Sequence, residues 1–147
     1  MRRTVLGILA VVAVLASGCA GMDSGGGMAK KSLYDRLGGK PAITAVVDDF
    51  IGNVAGDSRI NRRFANANIP RLKAMLVDQI CEASGGPCKY MGASMLDAHR
   101  GMNVTDAEFT ALVEDLVKSL DKFKVPAQEK KELLTALGGM KPQIVGK

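Results

Sequence analysis

The sequence of residues 41–55 is PAITAVVDDFIGNVA, and its pattern of apolar residues decides the fold class. These residues recur at the spacing i, i+3, i+4, i+7, i+8 and i+11, which places them along one side of an α-helix. The proline suits the first helical turn, where a missing N–H costs no hydrogen bond. The stretch therefore predicts an amphipathic helix with an inward face of Ile43, Val46, Val47, Phe50, Ile51 and Val54.

Helical patterns flank this stretch on both sides. Residues 33–37 predict a short helix that ends at Gly38 and Gly39, because glycine at positive φ lets the chain reverse. Farther along, Asn68 predicts the N-cap of a helix that runs to about Ala83. The predicted buried face of that helix comprises Ile69, Leu72, Met75, Leu76 and Ile80.

The C-terminal third contains two more helices. Thr105 and Glu108 have the spacing of a capping box, and they open the clearest helical pattern in the chain. Pro126 begins the last predicted helix. The apolar residues of these two helices are Phe109, Leu112, Val113, Leu116, Val117 and Leu120, and then Leu133, Leu134 and Leu137. No long stretch alternates with the period of a strand, so the sequence predicts an all-α domain.

The N-terminus has the layout of a bacterial export signal. Arg2 and Arg3 precede an apolar run of 12 residues, which is shorter than the ~20 that a membrane span needs. Small residues then lead to Cys19, and this arrangement resembles the lipobox of bacterial lipoproteins, with Ala16 where leucine is commonest. The resemblance implies a signal peptide over residues 1–18 and lipidation of Cys19. Ala20, in place of an aspartate, favours the outer membrane over the inner one.

A glycine-rich stretch separates Cys19 from the helices. Residues 19–31 have no apolar periodicity and predict a flexible tether, which leaves 32–147 as a single domain. Cleavage would remove two of the 20 basic residues against 15 acidic ones, which lowers the formal net charge from +5 to +3. Because the basic residues are scattered and aromatic residues are few, nothing favours nucleic-acid binding. The neighbours Asp48 and Asp49 point to different sides of a helix and are expected on its solvated face.

His99 is the only histidine of the chain. Met95 and Leu96 precede it by four and three residues, so all three are expected on the inward face of a short helix. Spacing alone leaves open a buried histidine that bonds to a backbone carbonyl. A structural zinc site needs four protein ligands, which this chain does not supply in a familiar set. A haem needs only one axial imidazole, and the absence of Cys-x-x-Cys-His excludes a covalently attached c-type haem.

A series of short motifs runs along the predicted domain in a fixed order. The motifs are SLYDRLGG at 32–39, Ala42-Ile43, VVDDF at 46–50, Phe64, Arg71-Leu72, Gly85-Gly86-Pro87, Tyr90, Gly92 and Ala98-His99 with Gly101-Met102. This order and spacing resemble those of truncated haemoglobins of the first group. The resemblance implies a two-over-two helical sandwich around haem b, with His99 as the proximal iron ligand and Phe64 against the porphyrin. The other haem contacts that it implies are Phe50, Ile51, Leu72, Leu76, Met95 and Met102, with Arg71 and Lys73 as candidates for the propionates.

The distal side departs from the pattern of oxygen-avid members. Those members carry a tyrosine where this chain has Ile51 and often a glutamine where it has Leu76, which leaves Gln79 as the polar candidate there. A hydrogen bond to a charged group contributes ~1.5–3 kcal/mol, or about one to two decades in affinity. We therefore expect weak retention of oxygen, with a smaller effect on nitric oxide and carbon monoxide.

Cys81 and Cys88 flank the bend by which the family leaves the distal helix. In an oxidising compartment two thiols across a tight bend predict a disulfide, and the alternative is a redox-switching pair. The leading functional hypothesis is a haem protein of the envelope that binds diatomic gases. The alternatives are a haem enzyme that removes nitric oxide or an oxidant with an unknown reductase, as a nitric oxide dioxygenase or peroxidase-like activity, and a haem-free interaction module.

Overall fold

The computed structural model describes residues 30–147, and the predicted signal peptide, Cys19 and most of the predicted tether lie outside them. The described chain forms six α-helices and two 3-10 turns. The helices are α1 (Leu33–Arg36), α2 (Gly39–Gly56), α3 (Ile69–Ala83), α4 (Met95–His99), α5 (Asp106–Lys122) and α6 (Ala127–Gly138). The 3-10 turns span Asn61–Phe64 and Lys141–Gln143. None of the helices within 30–147 combines the length and the hydropathy needed to cross a bilayer.

The predicted helix boundaries are close to those of the structure. Gly38 and Gly39 have φ of 94° and 73°, so the chain turns between α1 and α2 where two glycines permit left-handed backbone. The side chain of Asn68 accepts a hydrogen bond from the Arg71 N–H at 3.0 Å and caps α3. Thr105 and Glu108 form both bonds of the predicted capping box. Local sequence signals therefore decide where these helices begin.

Helix α2 lies at the centre of the fold, packed against α3 on one side and α5 on the other. Helix α6 packs against α3 and α5, so that α2 and α3 lie against α5 and α6. All six inward residues predicted for α2 are buried, and Ile80, Leu120 and Leu133 join them in one core. The all-α, two-over-two arrangement predicted from the sequence is thus the observed one.

Two helices bury the predicted face in part, together with residues beside it. In α5 the predicted Leu116 and Leu120 are buried along with Ala111, Asp115 and Ser119, while Phe109 and Leu112 are only half-buried. In α3 the buried residues are Val77, Ile80 and Cys81, whereas the predicted Ile69, Leu72, Met75 and Leu76 remain partly exposed. Both helices pack on α2, and their half-buried apolar residues border the core without being enclosed by it. Part of each apolar stripe is consequently left uncovered by protein.

Candidate functional site

His99 is the last residue of α4 and is half-buried. Its ring Nδ1 lies 2.7 Å from the backbone oxygen of Met95, one turn earlier. A carbonyl oxygen can only accept a hydrogen bond, so Nδ1 carries the proton and donates it. In the neutral ring this leaves the lone pair on Nε2, the atom that would bind a metal. The hydrogen bond to a backbone carbonyl that is expected of a structural histidine is therefore present. The same hydrogen bond also fixes the tautomer that a metal ligand needs.

The start of α4 is held by its own cap. Ser94 Oγ accepts a hydrogen bond from the Asp97 N–H at 3.1 Å, which orients the single turn that carries His99. The prediction for Leu96 was wrong, since it is 42% exposed and faces away from the core. A five-residue helix presents a narrow face, and successive residues differ by about 100° around the axis. Met95, four residues before His99, keeps the expected half-buried position.

The residues predicted to contact a haem fall into two groups. Phe50 and Ile51 are buried in the core, at 6% and 7% exposure. The others, from the first 3-10 turn, α3, α4 and the loop after His99, are half-buried; they are Phe64, Leu72, Leu76, Met95 and Met102. One imidazole nitrogen without a hydrogen bond, together with half-exposed apolar side chains on several elements, is the set of groups that a flat apolar cofactor with one axial ligand requires.

The chain offers little else that could hold a metal. Within residues 30–147 no group of three or more His, Cys, Asp and Glu side chains could bind an ion. A single imidazole suffices only where the remaining ligands come from a cofactor. The residues present therefore fit a haem, and they do not form a protein-only metal site.

Gln79 lies where α3 approaches α4 and the C-terminal segment. Its side-chain Nε2 is 3.3 Å from the Met95 sulfur and 3.4 Å from the Met140 sulfur. Thioether sulfur is a weak acceptor, so these contacts position the amide without satisfying it strongly. The structure thus brings together two predicted site residues, Gln79 and Met95, and adds Met140, which the sequence did not indicate.

The two propionate candidates differ in their surroundings. Arg71 is exposed near the start of α3. Lys73 Nζ lies 2.8 Å from a carboxylate oxygen of Asp48 and is therefore already paired. Their assignment to the propionates stays a prediction.

The predicted disulfide is present between Cys81 and Cys88, with 5.7 Å between their Cα atoms. Cys81 is fully buried in the core at the end of α3. The Gly86 N–H donates to the Cys81 carbonyl at 2.8 Å, which closes the bend from inside. The bridge therefore ties the end of α3 to the segment that leads to α4 and His99.

A partly buried polar network that the sequence did not indicate joins α2 to α5. Ser119 Oγ donates to Asp49 at 2.8 Å, and the Asn53 side chain donates to Ser119 Oγ at 2.9 Å. Hydrogen bonds from Lys122 and Ser119 lower the pKa of Asp49. The expectation that Asp49 lies on a solvated face was therefore wrong, whereas Asp48 is exposed as predicted. The sequence did contain a signal for this network. Asp49 and Asn53 are four residues apart on one helix, and Asp115 and Ser119 have the same spacing on the other.

This two-over-two sandwich, with one imidazole of defined tautomer and partly exposed apolar side chains on several helices, defines a helical protein of the truncated-globin class. A sequence model described as "Bacterial-like globin" matches residues 32–145. The chain belongs to the bacterial-like globin family, and its relatives include group 1 truncated haemoglobins.

The relatives cover most of the chain. A group 1 truncated haemoglobin of Mycolicibacterium paratuberculosis is 34% identical over 113 residues, which is 77% of this chain and 83% of the relative. The crystal structure of a truncated haemoglobin from Tetrahymena pyriformis, in the Fe(III) form, superposes with a TM-score of 0.77 at 29% identity, and covers 80% of this chain and 100% of that one. A 2/2 haemoglobin from Synechococcus, with covalently attached haem, gives a TM-score of 0.70 at 35% identity. The match covers 74% of this chain and 91% of that one.

Proposed function

We propose that this protein is a haem-binding globin of the bacterial cell envelope that binds diatomic gases and retains oxygen weakly. The observation that carries the proposal is the bond from His99 Nδ1 to the Met95 carbonyl at 2.7 Å, which leaves Nε2 free for the iron of haem b. The family relationship supports a haem, because solved relatives are haemoglobins described in the Fe(III) form or with attached haem.

Haem iron, when bound, supplies the coordination site for oxygen, nitric oxide or carbon monoxide. This chain's own residues would hold and orient the group. His99 Nε2 would bind the iron, and Phe64, Leu72 and Leu76, which are half-buried, would offer apolar surface to the porphyrin. Burial of such surface stabilises a bound cofactor by roughly 25 cal/mol per Å².

Weak oxygen retention follows from the side chains at the distal positions. Ile51, Leu72 and Leu76 carry no N–H or O–H group, so they cannot donate a hydrogen bond to a polar ligand. Gln79 carries the one side-chain amide of α3 after Leu76, and this amide is directed at two sulfurs. Nitric oxide and carbon monoxide depend less on such a donor, and we expect their binding to be affected less.

The test of the cofactor is the optical spectrum of the purified protein in ferric, ferrous and carbon-monoxide forms. We expect a Soret band that is lost or shifted in His99→Ala and restored when imidazole is added to that variant, since a free imidazole can occupy the vacated space. Met91→Leu is a matched control, because Met91 is 82% exposed and its loss should leave the spectrum unchanged. A folded, colourless wild-type protein after haem supplementation would refute the proposal.

The envelope location is supported by the export signal and Cys19, together with a disulfide of the kind that persists in oxidising compartments. Lipidation at Cys19 would hold the domain at a membrane surface through residues 20–31. The experiment is cell fractionation of the full-length protein. Wild type should partition with membranes and detergent phase, and Cys19→Ala should not. Recovery of wild type in the cytoplasmic fraction would contradict this part of the proposal.

A further inference from the structure

The segment after His99 has no regular structure of its own, and its backbone is unusual. Gly101 and Asn103 have φ of 78° and 48°, both in the left-handed region. The Met102 N–H donates to the His99 carbonyl at 3.0 Å. Val104 forms an isolated parallel bridge with Val145 of the C-terminal segment. Because His99 is the last residue of α4, the position of its ring depends on what fixes this segment as well as on its own bond to the Met95 carbonyl.

Arg63, in the first 3-10 turn, contacts this segment directly. Its Nη1 donates to the Met102 carbonyl oxygen at 2.6 Å. Its Nε and Nη2 donate to the two carboxylate oxygens of Glu108 at 2.8 and 2.9 Å. The guanidinium thus makes three bonds to two elements that are 39 and 45 residues away in sequence. The planar fork of arginine suits this geometry, whereas a lysine ammonium cannot reproduce it.

Glu108 is itself held in place. One of its oxygens accepts the Thr105 N–H at 2.9 Å as part of the capping box of α5. The ion pair with Arg63 and the bond from Thr105 lower the pKa of Glu108 to about 2, so the carboxylate is charged near neutral pH. The side chains of Arg63 and Glu108 are 33% and 21% exposed, so the pair is partly shielded from solvent. Arg63 is therefore anchored on a rigid helix start while it holds the Met102 carbonyl.

We propose that Arg63 is a positioning residue for His99, which it holds through the Met102 peptide. This inference rests on the proposed function, in which His99 binds haem iron. The Met102 peptide is bonded at both ends, its N–H to the His99 carbonyl and its carbonyl to Arg63. Phe64, next to Arg63, is a predicted porphyrin contact, so the same 3-10 turn supports both the ligand loop and the cofactor surface.

The experiment compares haem-loaded wild type with Arg63→Met and Arg63→Lys. Arg59→Met is the matched control, because Arg59 also pairs with a neighbouring carboxylate, Asp57, and reaches α5 through Glu114 at 2.7 Å, without a bond to residues 100–104. The measurements are haem transfer to excess apomyoglobin, the iron–histidine stretching band after photolysis of the carbon-monoxide form, and circular dichroism. The lysine variant keeps the charge and serves if the methionine variant does not fold.

We expect haem loss to accelerate at least about tenfold in the Arg63 variants, which corresponds to about 1.4 kcal/mol, with a shifted or broadened iron–histidine band. Arg59→Met should leave both readouts at the wild-type value even if it lowers stability. An unchanged band and rate in folded Arg63 variants would overturn this inference and leave the proposed function standing. A wild-type protein that takes up no haem would overturn the proposed function and this inference with it.

Discussion

Gly86 lies in the bend closed by the disulfide, and Gly86→Ala should destabilise the protein strongly. A Cβ at this position would lie 2.5 Å from Tyr34 Cδ2, 2.7 Å from Cys81 Sγ and 2.8 Å from the Cys81 carbonyl oxygen. Real Cβ atoms do not approach other atoms this closely, so the surroundings would have to move.

Displacing any of these neighbours would cost folding free energy, because each is held by other bonds. The Cys81 sulfur is fixed by its bridge to Cys88, and the carbonyl belongs to the end of α3. The Tyr34 backbone N–H donates to the Ser84 carbonyl at 2.8 Å, and its hydroxyl accepts the Lys40 N–H at 3.0 Å, so the ring is held at both ends. Overpacking usually costs 1–3 kcal/mol, and we expect a loss of about 2–3 kcal/mol of unfolding free energy here.

Denaturant unfolding of the haem-loaded protein measures this loss as a lower midpoint at an unchanged slope. The matched control is Gly52→Ala in α2, where a Cβ would meet nothing within 4 Å. Because Gly52 is helical and exposed, alanine should stabilise by about 0.5–1 kcal/mol. If Gly86→Ala lies within about 0.5 kcal/mol of wild type, the range of ordinary surface substitutions, the steric reasoning is wrong.

Three further predictions concern the distal side, the disulfide and acid stability. Leu76→Gln introduces a donor on α3 and should slow oxygen dissociation from the ferrous protein by about ten- to a hundredfold in stopped flow; an unchanged rate would show that the position does not face the ligand. Cys88→Ala should lower the unfolding free energy by roughly 2–3 kcal/mol on the chain-entropy account, and a reductant should bring wild type to the same value without affecting the variant, whereas a wild type insensitive to reductant would contradict the bridge. Arg59 lowers the pKa of Asp57 from 3.8 to about 2, so stability from this pair is complete above pH 3.8 and is lost as the pH falls towards 2. Arg59→Met should flatten that part of the unfolding profile, and a parallel profile would count against the ion pair.

The sequence was sufficient for features that depend on neighbouring residues. Asn68 and Thr105 mark helix starts through their own hydrogen bonds to backbone N–H groups three residues later. The α2 stripe was predicted completely because α2 is covered on two sides, by α3 and α5, so every apolar residue of its stripe finds a partner. The disulfide followed from two cysteines across a short bend.

Features that depend on packing between distant segments were not predictable in this way. Spacing marks Leu112 and Leu116 as one face of α5, and Leu116 is indeed buried, but only the docked α2 shows that Ala111 and Ser119 are buried too while Leu112 is half-buried. The contact of Arg63 with Met102 joins residues 39 positions apart, and no local sequence pattern predicts it. Likewise, Gln79 meets Met140 because the chain end folds back towards α3.

The candidate haem site depends both on local sequence signals and on packing between distant segments. The apolar stripes of α3 and α5 are only partly enclosed by the core, which leaves Leu72, Leu76 and Leu112 partly exposed. A domain that left such a surface bare would lose the hydrophobic stabilisation that these side chains can provide. A flat apolar cofactor covers surface of this kind, and His99 offers it one bond from a nitrogen whose lone pair is set by the Met95 carbonyl. The partly exposed apolar stripes and the tautomer of His99 are thus two separate observations that support the proposed haem.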